Sequence, residues 1–256
     1  MKQIFWTSSL LLIAISVTGA DLLDSLSLSK KATSQSAAQS TLTASLTQDQ
    51  MVQGLKEALS KGVEHALSQL GQDGGFLTNL DVRIPLPEKL RTVEKTLRAL
   101  KQSKLADDFV TTMNHAAEQA VPAGASVFID AIKGLSIEDA RAILIGPTNA
   151  ATQYFQKVTG TNLFQKFLPV VKQATDKTGV TSAYKKFMEK ASTTTAFGSF
   201  GKSIVTAESV DVDEYVTNKA LEGLFKRVAD EEAKIRQNPV ARTTSMLQTV
   251  FGAIKH

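Results

Sequence analysis

The chain has 256 residues, with 29 Lys and Arg against 25 Asp and Glu, a formal charge of +4, and no cysteine. That near-balance excludes non-specific nucleic-acid binding, which rests on many phosphate contacts. The missing thiols exclude disulfides, thiolate metal sites and a cysteine-borne lipid anchor.

Lys2 precedes an apolar stretch from Ile4 to Val17, and the small residues Thr18, Gly19 and Ala20 follow. This order predicts a signal peptide over residues 1–20, because the stretch is shorter than the ~20 apolar residues of a spanning helix. The mature chain then begins at Asp21, is soluble in the periplasm and has no transmembrane segment. Residues 21–46 are rich in Ser, Thr, Ala and Gln with scattered Leu. They bury too little apolar surface to offset their ordering entropy, which predicts a disordered linker. Residues 47–256 are expected to form a single α-helical domain, and the 43% hydrophobic share supplies its core.

Thr47 with Gln50 fits a capping box and opens an apolar stripe at Val52, Leu55, Leu59, Val63, Ala66 and Leu70. Gly71, Gly74 and Gly75 end that helix. The segment Val82-Arg83-Ile84-Pro85-Leu86-Pro87 reads as extended, since each proline turns its predecessor away from the α region. Two helices follow, one striped by Leu90, Val93, Leu97 and Leu100 and one by Leu105, Phe109, Met113, Ala116 and Ala120. An apolar segment around Phe128, Ile129 and Ile132 comes next. Ser136 with Asp139 starts a short helix that Gly146-Pro147 closes. Further helices are predicted near 149–158, 162–176, 181–191, 212–237 and 240–254, with a long Ser/Thr/Gly loop over 191–210. The expectation is an all-α fold of eight or nine helices.

Several blocks carry a resemblance as an ordered set. They are Asp73-Gly74-Gly75-Phe76, Val82 to Pro87, Met113-Asn114-His115-Ala116-Ala117-Glu118 and Asp139-Ala140-Arg141. Downstream lie Ala150-Ala151-Thr152-Gln153-Tyr154-Phe155, Tyr215-Val216-Thr217 and Ile235-Arg236-Gln237-Asn238-Pro239. Over about residues 47 to 252 the chain resembles the domain of unknown function 4197 family, helical proteins exported by Gram-negative bacteria, many of them lipoproteins. The resemblance implies a periplasmic helical fold and no particular chemistry. This chain has no acceptor cysteine for the lipid that such members carry.

No motif completes a catalytic constellation. Ala196 to Ser203 matches a relaxed phosphate-loop pattern, but it follows a Ser/Thr run and not a buried strand, so it reads as a Gly/Ser loop. His65, His115 and His256 form no i, i+4 pair, and Asp73, Asn79 and Asp81 lack calcium-loop spacing, so no metal and no cofactor is expected. No serine sits in a nucleophile elbow.

Two sets of residues remain. Arg83, Asn114, Glu118, Arg141, Tyr154, Tyr215 and Arg236 lie among apolar stripes and are candidates for a pocket between helices, or for packing bonds that fix the helices. Arg91, Lys95 and Arg98 share a helix face and are candidates for contact with an anionic surface. The function expected from this pattern is a non-enzymatic binding or interaction module of the cell envelope. Its candidate partners are an envelope protein, a lipid or a small hydrophobic ligand. The alternatives are an enzyme of unrecognised type using an interhelical polar cleft, and a peripheral membrane-contacting protein.

Overall fold

The computed structural model describes residues 47–193 and 210–237. The expected signal peptide and linker, the phosphate-loop-like stretch and the helix expected at 240–254 lie outside the described residues.

Helix α1 is Gln48–Leu70, and both bonds of its capping box form: Thr47 Oγ1 accepts from Gln50 N at 3.2 Å, and Gln50 Oε1 accepts from Thr47 N at 3.0 Å. Its predicted stripe is buried from Val52 to Leu70. Beyond Gly71 the chain turns at Gly74, whose φ of +80° favours glycine, and then buries Phe76, Ile84 and Leu86. A 3₁₀ turn, Glu88–Leu90, leads into α2 (Arg91–Ala99), where Val93 and Leu97 are buried. Helix α3 (Ser103–Ala120) carries the densest buried stripe, including Phe109, Met113, Asn114 and Glu118.

A second 3₁₀ turn, Val121–Gly124, passes into α4 (Ala125–Lys133). Helix α5 (Ile137–Ile145) starts at the Ser136/Asp139 capping box. Then come α6 (Ala150–Thr178), α7 (Val180–Thr193) and α8 (Val212–Gln237). No strand occurs among the described residues, so the fold is all-α. Helix α6 packs on α8 and α3, while α1 lies against α8, α4 and α5. Ring contacts join the layers: Phe128 meets Phe155 at 5.2 Å and Phe225 at 6.1 Å, both edge to face.

One expectation needs correction: the two helices predicted near 149–158 and 162–176 are one. The gap between them falls on Thr159-Gly160-Thr161, yet Phe155, Thr159, Leu163, Phe167 and Val171 make an unbroken buried stripe through it. Thr159 keeps its hydroxyl on Phe155 O at 2.6 Å. Pro169 cannot donate to Gln165, but both residues are on the exposed face, where the freed carbonyl is open to solvent. Burial of Phe155, Leu163, Phe167 and Val171 outweighs an interior glycine at about 1 kcal/mol and a proline at about 3 kcal/mol.

Candidate functional site

Four polar residues buried in this core, Asn114, Glu118, Glu232 and Arg236, bond to backbone. On α3, Asn114 is fully buried beside the extended segment at Ile84. Its Oδ1 accepts from Ile84 N at 2.8 Å, and its Nδ2 donates to Ile84 O at 2.9 Å and Val110 O at 2.7 Å. One side-chain amide thus satisfies both backbone groups of a residue with no strand partner.

One turn on, Glu118 is 3% exposed, and its Oε1 accepts from Phe76 N at 2.9 Å and Leu77 N at 3.0 Å. Asn114 and Glu118 together fasten the loop after α1 to α3. The other oxygen, Oε2, lies 2.8 Å from His115 Nδ1. Asp73 Oδ1, on the same loop, lies 3.4 Å from that nitrogen. In the sequence Asp73 was weighed only with Asn79 and Asp81 against a calcium loop; 42 residues separate it from His115, and only the fold brings the two together.

A second fastening sits at the far end of the core. Glu232 on α8 accepts from Ala151 N, Thr152 N and Thr152 Oγ1, each at 2.9 Å, so it caps the N-terminus of α6. Arg236, one turn later, donates to Glu232 Oε1 from Nε at 3.1 Å and Nη2 at 2.9 Å, and from Nη2 to Ile143 O at 2.7 Å. The carboxylate meets the positive end of α6 and the guanidinium meets the last carbonyls of α5. Each charge therefore complements the helix end it touches.

The seven residues expected to share a pocket do not line a common cavity. Asn114 and Glu118 hold one loop, while Arg236 clamps the α5–α6 junction. Tyr215 is half-buried and donates to Pro85 O at 2.9 Å. Burial, then repulsion from Glu222 and Glu88, pushes its phenol up to about 12, against a smaller opposing effect of Arg91. Arg83 and Arg141 are exposed. Tyr154 borders a cleft of about 370 Å³ with Asp130, Asn162 and Lys166, and burial followed by the charge of Asp139 raises its phenol.

On the expected basic face, Arg91 pairs with Glu88 at 2.6 Å, and Arg98 pairs with Asp107 at 2.7 Å and Glu94 at 2.9 Å. The neighbouring acids neutralise two of its three cations, and Lys95 is exposed. That face is consequently mixed in charge.

The apolar concavity lies elsewhere, between α1 and α4. It has a volume of about 540 Å³, with Val63, Leu67, Pro122, Ala125, Ile129 and Ile132 along it and Ser60, Glu64 and Ser68 at its edge. Ile129 is 48% exposed there, a large aliphatic side chain left open to solvent. Sequence reading found Ile129 as part of an apolar segment but had no means of placing α1 across from it. Among the described residues, no single helix is long and apolar enough to cross a membrane.

The model of the DUF4197 family, described as a protein of unknown function, matches residues 45–252. No curated protein and no solved structure matches the chain. The chain belongs to the DUF4197 family.

Proposed function

We propose that this DUF4197 protein is an exported, non-catalytic binding module of the cell envelope, and that the groove between α1 and α4 takes the apolar chain of a lipid. The groove carries this reading. Its volume of about 540 Å³ lies within the range of small-molecule sites, and its lining is predominantly aliphatic. The polar groups that would serve an enzyme are spent on structure: among the described residues, no buried side-chain nitrogen or oxygen lacks a hydrogen-bond partner. Export rests on Lys2, the apolar stretch to Val17 and the small residues before Asp21. The acids beside Arg91 and Arg98 disfavour an electrostatic membrane face.

A fluorescent fatty-acid probe tests the groove. The protein is expected to take up one probe saturably, and Ile129→Glu, at a half-exposed position, to abolish uptake without changing helix content. Equal uptake by wild type and variant would place the ligand elsewhere. Export is tested by the mass of the protein in an osmotic-shock fraction, expected to begin at Asp21; an intact chain retained in the cytoplasm contradicts it.

A further inference from the structure

We infer that Asp73, His115 and Glu118 form a binding site for a zinc-class divalent cation. One imidazole nitrogen and two carboxylate oxygens lie within 4.8 Å of one another. This mixed set suits zinc and its transition-metal neighbours, whereas calcium and magnesium seek six or more oxygens. Three protein ligands leave the fourth tetrahedral position to water.

Two of the three spacings lie near those of a tetrahedral site, and the third, between the Asp73 and Glu118 oxygens, is within 4.8 Å. Metal–ligand bonds of about 2.05 Å in a tetrahedron put ligand atoms about 3.3 Å apart. His115 Nδ1 to Asp73 Oδ1 is 3.4 Å; His115 Nδ1 to Glu118 Oε2 is 2.8 Å and has to open by about 0.5 Å. The movable members are the imidazole, 35% exposed, and Asp73, 92% exposed; Glu118 is the fixed one, at 4%.

Glu118 is oriented as metal ligands commonly are, by a second shell. Its Oε1 is held by the N–H groups of Phe76 and Leu77, which leaves Oε2 aimed at His115. The loop bearing Asp73 is also fixed in place, because Gly75 passes so close to α1 that a Cβ there would stand 2.5 Å from Leu70 O. On binding, the Nδ1 lone pair goes to the metal and the ring proton resides on Nε2. The ion would tie the loop after α1 to α3.

Calorimetric titration of untagged, chelator-stripped protein with zinc tests the site. One equivalent is expected to bind, His115→Gln to abolish saturable binding, and Asp73→Asn to weaken it by at least about tenfold. Because Asp73 is exposed, that variant carries the test even if His115→Gln folds poorly. His65→Gln, which removes the imidazole paired with Glu231 at 2.9 Å, should leave the affinity unchanged. Cobalt in place of zinc should give the absorption of a four-coordinate ion. Absence of saturable zinc binding, equal affinity in Asp73→Asn, or loss in His65→Gln would each overturn the assignment.

Discussion

The Glu232–Arg236 pair is where the fold is most exposed to a single change. Five donors converge on one buried carboxylate: Ala151 N and the Nε and Nη2 of Arg236 on Oε1, and Thr152 N and Oγ1 on Oε2. In Glu232→Gln the new amide NH₂ faces at least two of these donors whichever way it turns. At least one hydrogen bond is lost, because the Thr152 hydroxyl can turn to accept whereas a backbone N–H cannot, and the guanidinium, 2% exposed, is left beside a neutral group. Unpairing one member of a buried ion pair costs about 3–5 kcal/mol, a large share of the 5–15 kcal/mol that holds a typical domain. Arg236→Met is expected at the lower end, about 3 kcal/mol, because Glu232 keeps the three donors of α6. The double variant should cost at least about 1 kcal/mol less than the sum of the singles, since each single change strands the other charge. Urea unfolding followed by helix ellipticity, with linear extrapolation, measures all three. A cost below about 1 kcal/mol for Glu232→Gln, or strict additivity, would refute the reasoning.

Three further outcomes are expected. Gly223→Ala places a Cβ 2.7 Å from Phe76 Cε1 and 3.2 Å from Val82 Cβ, so overpacking should lower stability by about 1–3 kcal/mol in the same urea assay. The raised Tyr215 phenol makes stability fall as pH climbs from about 10 towards about 12, because the folded chain keeps a proton that the unfolded chain releases. Tyr215→Phe should flatten that alkaline limb in thermal melts. Burial raises the Glu231 carboxyl, but the hydrogen bonds and charges of Lys234 and His65 outweigh it and hold it below the usual range. Its stabilisation is present above about pH 4.3 and lost in acid, so the Tm gap between wild type and Glu231→Gln should close below that pH.

What was legible in the sequence was local. Both capping boxes, Thr47 with Gln50 and Ser136 with Asp139, join residues three apart, and both form as read. The stripe of α1 follows from the 3.6-residue period in the same way. The continuity of helix α6 escaped because Gly160 is a local signal, whereas the burial of Leu163 and Phe167 that overrides it depends on neighbours distant in sequence. Asn114, Glu118 and Arg236 stood out as polar residues among apolar ones. Their partners, 30 to 93 residues away, follow no spacing rule. Asp73 drew notice only as a rejected calcium ligand, and its approach to His115 rests on the path of the loop over α3.

The most direct test of the binding role is native mass spectrometry of the protein purified gently from its own host, wild type beside Ile129→Glu. The account predicts one lipid-sized mass retained by the wild type, released on denaturation, and absent from the variant. A bare wild-type monomer, or the same retained mass on both proteins, would contradict it.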